Sequence, residues 1–329
     1  MDFLINFLLI SGISFIIVDT AKVATVRRII EDLFSDGLSP APVPEIDNLK
    51  LIKGGFIGET YSTIVWKGIY KDAANVSSTV ACKISLSGGN MMAEKRIYEA
   101  LDATTDPKIE EHGIPRIYYY GKIFRDRYFV AAMTLFDGTL YDRYIAQNKT
   151  LSPSSILMIF KQAVEGLRYL NTKNCLHNVI TPYSIFLSGE KVFLGDFYDA
   201  SLNGRPNDRG NNWFASRKYH LGQQRTAKDD LESLLYTIWF IANVPISQSL
   251  QEGEPIGFIL KDMPEKQAES EMRKKCKRFK DPNVCKAMKL ICADVVSSKS
   301  PLPNYESIIN ALTRAINQLK GSSAGSSGA

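Results

Sequence analysis

The sequence predicts an α+β fold in which a small β-rich lobe precedes a larger helical lobe. Between residues 50 and 135, short runs rich in β-branched and aromatic residues dominate, among them STIVWKGIY and STVACKIS, and one helical segment near residues 90–101 interrupts them. From residue 140 onward, apolar residues recur at helical spacing, as in SPSSILMIFKQAVEGLRYL, for which Ser154 is the expected N-cap. With 329 residues, the chain is long enough for two such lobes.

The two lobes are assigned to residues 45–135 and 136–320. Ahead of them, residues 21–44 comprise a predicted amphipathic helix, in KVATVRRIIEDLF, and the proline-rich linker SPAPVPE. We expect the helix to pack on the domain or on a membrane surface. Residues 321–329, GSSAGSSGA, are of low complexity and are predicted to be a flexible tail.

The chain opens with an uncharged apolar run between Phe3 and Val18, so residues 1–20 are interpreted as a membrane anchor or a signal segment. As a helix the run would be about 24 Å long at ~1.5 Å per residue, a little less than the ~30 Å hydrocarbon core of a bilayer. Basic residues follow the run and none precedes it. By the positive-inside rule, this pattern predicts a membrane-anchored protein with a cytosolic folded domain. A domain in the secretory pathway or its lumen is the alternative, and a core helix is the third interpretation.

The composition argues against several classes of protein. A net charge of +5 is too small, at this length, to predict nucleic-acid binding. The five cysteines are odd in number and form no CxxC pair, so neither a disulfide framework nor a zinc site is expected. Cys276 and Cys285 are close enough in sequence to suggest a bridge, although two buried or free thiols are the favoured interpretation.

Several motifs follow one another in a recognisable order. IGETYSTIVWKG, at residues 57–68, reads as strand–turn–strand, TVACKIS places Lys83 on a strand, and MAEKRIYEAL places Glu94 on the helix that follows. Further along come LHNVITPYSIFL and GDFYDA. In this order they resemble the glycine-rich loop, the V-A-I-K strand, the helix glutamate, the catalytic loop and the D-F-G motif of protein kinases.

A finer resemblance extends over about residues 48–315. The segments WFASRKYHLGQQRTAKDDLESLLY, LRYLNTKNCLH, YFVAAMTLFDGTLYDRY and PNYESI are similar to those of the casein kinase I group, which includes the tau-tubulin and vaccinia-related kinases. The resemblance implies a bilobal protein kinase-like fold. It also implies a nucleotide site, made by Gly58, Val65, Ala81, Lys83, Glu94, Met133 and Asp196. Of these, Asp196 would be the metal ligand, and a weak one.

The catalytic loop departs from the family at the positions that carry its chemistry. The catalytic aspartate is Val179, whose side chain has no lone pair with which to accept the proton of a substrate hydroxyl. The lysine that meets the transferred phosphoryl group is Thr181, and the asparagine that holds the second magnesium is Ser184. The resemblance therefore implies no catalytic residue at these degenerate positions.

Other family positions are changed as well. The arginine that pairs with an activation-segment phosphate is Asn178, the glycine of D-F-G is Tyr198, and a basic residue used for acidic substrates falls at Trp213. In the glycine-rich loop, Thr60 and Thr63 replace two of three glycines. A branched Cβ keeps the backbone away from a phosphate. In addition, Phe186 stands where a smaller aliphatic residue commonly supports the adenine. We therefore expect no required cofactor, and ATP binding that is weak and depends little on magnesium.

The residues that build the kinase scaffold are retained, since His177 and Phe197 match the hydrophobic spine and Asp230 matches the brace of the catalytic loop. The sequence thus predicts a pseudokinase that acts as a scaffold or allosteric module, with protein partners such as kinases or their substrates and no nucleic acid. The alternative is an atypical Ser/Thr kinase with weak phosphotransfer that recruits Asp199 or Asp208. A third interpretation is a folded domain that has lost both its nucleotide-binding and its signalling roles. The basic run at residues 273–280 is interpreted as a solvated face rather than a binding site for phosphorylated partners or acidic lipid.

Overall fold

A computed structural model describes twelve stretches of the chain, and the statements below concern these residues. They are 27–28, 30–31, 45–46, 48–60, 63–85, 88–123, 128–203, 213–244, 255–279, 281–297, 300 and 302–324. The chain divides into two compact units, the first made of residues 1–96 and 116–135 and the second of residues 97–115 and 136–329. The apolar run between Phe3 and Val18 lies outside the described residues.

The first unit contains a six-stranded antiparallel sheet in the order β1-β2-β3-β4-β6-β5. The strands are β1 Glu45–Ile46, β2 Leu49–Glu59, β3 Thr63–Lys71, β4 Ser77–Ser85, β5 Ile117–Ile123 and β6 Tyr128–Thr134. Helix α1, Gly88–Ala100, follows β4. The predicted β-rich lobe with one interrupting helix is confirmed.

One face of this sheet forms a hydrophobic core around Trp66, whose indole nitrogen donates a 2.7 Å hydrogen bond to the carbonyl oxygen of Ile52. The described part of the predicted amphipathic helix packs here. Ile30 is fully buried in the core, and the guanidinium of Arg27 lies 4.0 Å from the centre of the Phe56 ring. Leu49 of β2 and Ile64 and Trp66 of β3 are buried in this core.

The second unit is mainly helical. Its helices are α2 Leu140–Ala146, α3 Pro153–Thr172, α4 Arg217–His220, α5 Ala227–Ile241, α6 Ile256–Leu260, α7 Glu265–Cys276, α8 Pro282–Ser297 and α9 Tyr305–Ala324. Almost every side chain of α5 is buried, so this helix lies at the centre of the unit. Its first turn is closed by a capping box between Thr226 and Asp229.

Short strands of the second unit flank the loops at residues 177–184 and 195–200. Strands β7 Gly138–Thr139, β9 Ile185–Ser188 and β10 Lys191–Leu194 form one sheet, and β8 Cys175–Leu176 pairs with β11 Ser201–Leu202. The pairing of β8 with β11 brings the segment before the catalytic loop next to the segment after Asp196–Tyr198, the D-F-Y sequence.

Three details differ from the sequence-based expectations. The N-cap of α3 is Ser152, whose hydroxyl accepts from the Ser155 amide, because Pro153 occupies the first helical position. Residues 97–115 belong to the second unit, since the Tyr98 ring packs on Phe197 at 5.1 Å between ring centres. Helix α9 runs on to Ala324, so the first four residues of the predicted tail are helical.

Further expectations concerned the state of the cysteines, a metal site and a membrane-spanning helix. All five cysteines are free, and Cys276 lies beside Cys292 rather than Cys285, with 3.4 Å between the two sulfur atoms. Within the described stretches, no cluster of three or more His, Cys, Asp or Glu side chains could hold a metal ion. None of the helices in that same part of the chain is long and apolar enough to cross a bilayer.

Candidate functional site

The first unit holds a lysine–glutamate pair on adjoining elements. Lys83 lies on β4 and Glu94 on α1, and the Lys83 ammonium is 2.8 Å from Oε2 of Glu94. The Glu94 side chain is only 4% exposed and that of Lys83 16%, so the pair is largely removed from water. In a low-dielectric site each charge stabilises the other, and removal of either leaves a buried charge uncompensated. In the kinase family that the motifs resemble, the lysine of the V-A-I-K strand is held by the helix glutamate, and the matching Lys83–Glu94 contact is present here.

The other residues of this unit that were predicted to bind nucleotide lie around Lys83 on the sheet. Val65 of β3 stands opposite Lys83, and Ala81 of β4 stands opposite Met133 of β6. Ala81 is buried, whereas Val65 and Met133 are half-buried. Gly58 pairs with Val65, and a Cβ added to it would meet no atom within 4 Å. These four residues thus form a continuous patch on neighbouring strands.

The two threonines of the glycine-rich loop are bonded to each other. The Thr60 amide donates to the Thr63 carbonyl oxygen at 2.8 Å, and the Thr63 amide donates to the Thr60 hydroxyl at 3.2 Å. The two hydroxyls are also 2.8 Å apart. In a phosphate-binding loop, backbone N–H groups point at the anion. Here these two N–H groups are satisfied within the turn.

In the second unit, the catalytic loop is fixed by a buried carboxylate. Asp230 of α5 accepts from the His177 amide at 2.7 Å and from the Asn178 amide at 2.8 Å. Burial raises the pKa of Asp230 to about 7, an effect that the two amide hydrogen bonds oppose. The predicted brace is present. Thr237, which the sequence did not single out, adds a second link between α5 and the catalytic loop. Its hydroxyl donates to the Ile180 carbonyl oxygen at 3.0 Å.

Asn178 takes the place of the family arginine but bonds inward. Its backbone is left-handed, with φ of 68°, a conformation that asparagine tolerates better than most residues. The side-chain nitrogen Nδ2 of Asn178 donates to the Asp199 carbonyl oxygen and to the Ser201 hydroxyl, both at 2.9 Å. The side chain thereby ties the catalytic loop to the segment after the D-F-Y sequence.

The three degenerate positions form a closed hydrogen-bonded turn. The Ser184 hydroxyl accepts from the Thr181 amide at 3.0 Å and donates to the Val179 carbonyl oxygen at 3.0 Å. The Thr181 hydroxyl accepts from the Tyr183 amide at 3.1 Å. Thr181 and Ser184 are both buried. Their polar side-chain atoms therefore stabilise the loop backbone.

The D-F-Y sequence places its aspartate outward and its phenylalanine inward. Asp196 is exposed and has left-handed backbone, with φ of 61°, while Tyr198 and Asp199 are half-buried. Phe197 is fully buried, and its ring centre lies 5.0 Å from that of His177 and 5.1 Å from that of Tyr98. Asp196 is thus accessible as a cation ligand, while Phe197 belongs to the core.

Tyr98 is a member of this ring stack that the sequence analysis missed. It follows Glu94 by four residues on α1, so the two side chains share a helix face. That spacing was the available signal. It did not reveal, however, that the ring would contact Phe197, because this contact joins segments about one hundred residues apart.

His177 is neutral in this stack. Its Nε2 lies 3.0 Å from the Gly195 carbonyl oxygen, which can only accept, so this nitrogen carries the proton. Complete burial lowers the pKa of His177 to about 4, although the Asp196 carboxylate and the bond to Gly195 act in the opposite direction. Its buried position in the ring stack is the one expected for a spine residue.

Phe186 has an aromatic neighbour within its own unit. Its ring stacks on Phe136, with 5.0 Å between ring centres, and a Cβ added to Gly195 would fall 2.9 Å from a Phe186 ring atom. The ring is therefore held in place by its neighbours. Trp213 is half-buried, and Asp208 lies outside the described residues.

The candidate residues of the first unit and those of the second unit differ in the ligands that they can bind. Lys83 of the first unit can bind a phosphate oxygen, and Asp196 of the second unit can bind a cation. Ser184, at the position of the second metal ligand, has its hydroxyl bonded on both sides by the loop. Val179 cannot accept a proton. The described residues therefore fit a nucleotide phosphate better than they fit a second metal ion or a substrate hydroxyl.

Comparison with known proteins gives matches that are all named as kinases or casein kinase I-like proteins. The family profile described as "Protein tyrosine and serine/threonine kinase" matches residues 51–200. A probable casein kinase I homolog of Encephalitozoon cuniculi is 26% identical over 217 residues, which cover 58% of this chain and 64% of the relative. Casein kinase 1-like protein HD16 of rice, Oryza sativa subsp. japonica, is 26% identical over 259 residues, which cover 68% of this chain and 35% of the relative. The chain thus spans less than two thirds of each of these two relatives.

Among solved structures, that of vaccinia related kinase 3 superposes with a TM-score of 0.62 and 16% identity, over 89% of this chain and 96% of the other. At this identity the match shows a shared fold, which agrees with the predicted small β-rich lobe and larger helical lobe.

The prediction of a membrane-anchored protein is wrong. The matched relatives are named only as casein kinase I proteins. In addition, no helix of the described residues could span a bilayer. The prediction relied on an apolar run whose structure is not among those residues, and an uncharged run of that length is too short to indicate a membrane helix without further support.

Proposed function

We propose that this casein kinase I-like protein kinase domain is a pseudokinase, which binds protein partners as a scaffold or allosteric module and does not transfer phosphate. The observation that carries the proposal is the closed turn in the catalytic loop. Val179 supplies no proton acceptor, and the hydroxyl of Ser184 bridges the Thr181 amide and the Val179 carbonyl. A positioned acid–base group typically contributes about 10²–10⁴-fold to a rate, and this group is missing.

The retained contacts support a rigid binding module. Lys83 and Glu94 form a shielded ion pair, Asp230 holds two amides of the catalytic loop, and Phe197 fills the core between two rings. All of these contacts stabilise a conformation, and none of them requires chemistry at position 179. A domain held in this way presents a fixed surface to a partner at low entropic cost.

We further propose that nucleotide binding is weak and depends little on magnesium. Lys83 favours binding of a phosphate. The internally bonded Thr60–Thr63 turn and the occupied hydroxyl of Ser184 oppose it, because the amides and the ligand atom that would meet phosphate and metal have partners already. Phe186, stacked on Phe136, adds bulk where adenine would need support.

The second candidate function is that of an atypical Ser/Thr kinase. The exposed carboxylate of Asp196 and the intact Lys83–Glu94 pair favour it. Such an enzyme would need another carboxylate to replace the one missing at position 179. Asp199 is the described candidate, and its backbone carbonyl is bound by Asn178 in the same loop region.

The two candidates are separated by a phosphotransfer assay. The full chain is incubated with labelled ATP, magnesium and either casein or an acidic peptide, beside the Lys83→Met variant. We expect no difference between the two proteins. Transfer that depends on Lys83 contradicts the pseudokinase proposal, and loss of that transfer in an Asp199→Asn variant supports the second candidate.

A gain-of-function series tests the reason for inactivity. Val179→Asp by itself is expected to remain inactive, because the lysine and asparagine positions are also changed. The triple variant Val179→Asp, Thr181→Lys, Ser184→Asn restores the family residue at all three positions, so it tests whether these changes together explain the inactivity. Thermal unfolding of each variant shows whether it is folded, so that an inactive but folded single variant can be distinguished from a misfolded one.

Nucleotide binding is measured separately by thermal shift. A ligand present at ~100 times its Kd stabilises the native state by about 2.7 kcal/mol. We expect a much smaller effect at millimolar ATP, equal with magnesium and with EDTA. A large shift that requires magnesium would show that the metal position is intact and would contradict the interpretation of Ser184.

A further inference from the structure

Two buried cysteines meet where helices α7 and α8 pack together. Cys276 is the last residue of α7, and Cys292 lies in the second half of α8, sixteen residues further along the chain. Their sulfur atoms are 3.4 Å apart, and both side chains are fully buried. The Cys276 thiol also lies 3.4 Å from the carbonyl oxygen of Met272, one turn earlier in α7. The two thiols are therefore held in van der Waals contact.

We propose that Cys276 and Cys292 form an intramolecular disulfide when the protein meets a peroxide oxidant. Hydrogen peroxide converts one thiolate to a sulfenic acid and releases hydroxide. The second thiol then attacks that sulfur and displaces water. Overall, two thiols and one hydrogen peroxide give one disulfide and two waters. The sulfur–sulfur distance must shorten from 3.4 Å to about 2.05 Å as the bond forms.

Contact between the thiols favours the disulfide at equilibrium, whereas burial controls how fast it forms. A thiol whose partner is held beside it closes the bond within the molecule, at a high effective concentration. However, the thiolate is the reactive species, and burial raises the pKa of Cys292 well above that of a free thiol. Oxidation therefore proceeds through local opening of the α7–α8 pair rather than in the closed state.

Cys285 provides a matched comparison on the same helix. It lies on α8 and is half-buried, so it is the more accessible thiol of the three. Accessibility alone would make Cys285 the first to react, and closeness in sequence would pair it with Cys276. The geometry instead selects Cys292. The disulfide would fix the end of α7 to the second half of α8. In the last turn of α7, Arg273 and Lys274 are already paired with glutamates of the same helix.

The test uses the full chain, oxidised with hydrogen peroxide, denatured, alkylated and digested for peptide mass mapping. We expect the disulfide-linked peptides to contain Cys276 and Cys292, and Cys285 to be alkylated or singly oxidised. The Cys285→Ser variant should retain the link, and Cys276→Ser and Cys292→Ser should each lose it. Peptide mapping of the chain without substitutions is decisive by itself, so a variant that fails to fold does not affect the result.

Two further measurements test the gating and the consequence. Sub-denaturing urea should accelerate formation of the disulfide several-fold, and the oxidised protein should unfold several degrees higher than the reduced one, because the cross-link restricts the unfolded chain. The proposal is overturned if the oxidised folded chain shows Cys276 and Cys292 both alkylated, or if either is linked to Cys285 instead.

Discussion

Truncation of Phe197 tests whether the ring stack is structural. The ring is fully buried and contacts the rings of His177 and Tyr98, at 5.0 and 5.1 Å between centres. Phe197→Ala removes the buried ring and leaves a cavity, for which about 3–5 kcal/mol of stability is typically lost. Two aromatic contacts of ~0.5–1.5 kcal/mol each are included in that loss.

The expected loss is large enough to measure by simple unfolding experiments. For domains of about 150–250 residues, 1 kcal/mol corresponds to roughly 2–4 °C in the thermal midpoint, so Phe197→Ala should lower it by about 10 °C. Urea unfolding followed by tryptophan fluorescence gives an independent value. Phe197→Leu should lose roughly half as much, because it refills part of the cavity.

A matched control is available on the surface. Phe258 of α6 is 39% exposed, so Phe258→Ala removes the same atoms from a site that is already partly in water. We expect it to lower the stability by less than about 1 kcal/mol. If Phe197→Ala and Phe258→Ala shift the midpoint equally, the stack of rings does not hold the second unit together and the argument for a retained scaffold fails.

Three further predictions concern the polar groups of the site. Ser184→Ala should cost about 1–3 kcal/mol in urea unfolding, because a buried amide and a carbonyl lose their partner, and an unchanged urea midpoint would argue against the closed turn. Lys83→Met should destabilise the protein by leaving the Glu94 carboxylate buried without its cation, and the double variant with Glu94→Gln should recover most of the loss; a double variant as unstable as Lys83→Met would contradict this. The pKa of His177 is lowered to about 4 in the folded state, so its contribution to stability is complete above the unfolded pKa of ~6.5 and is lost as the pH falls toward the folded value, by about 2 kcal/mol at pH 5. The His177→Phe variant should lose correspondingly less stability between pH 7 and pH 5, and equal losses would show that another group titrates.

Much of the fold, and the departures from the family in the catalytic loop, could be read from the order of residues. Runs rich in β-branched and aromatic residues predicted the strands, and the kinase resemblance implied that Lys83 would meet Glu94. The absence of a proton acceptor at Val179 is a property of the side chain itself, which no fold can change. The same holds for the absence of a lysine ammonium at Thr181. These conclusions depend on the chemistry of single residues or on contacts within one element and its neighbour.

Other features depend on which distant segments the fold brings together. The Tyr98 contact with Phe197, the Asn178 bonds to the segment after the D-F-Y sequence, and the pairing of Cys276 with Cys292 all join residues that no local pattern connects. Packing also assigned residues 97–115 to the helical unit. A side chain's partner is chosen by burial and by the hydrogen-bonding groups within about 3 Å of it. Those are properties of the folded arrangement, whereas the presence or absence of a reactive group is a property of the residue.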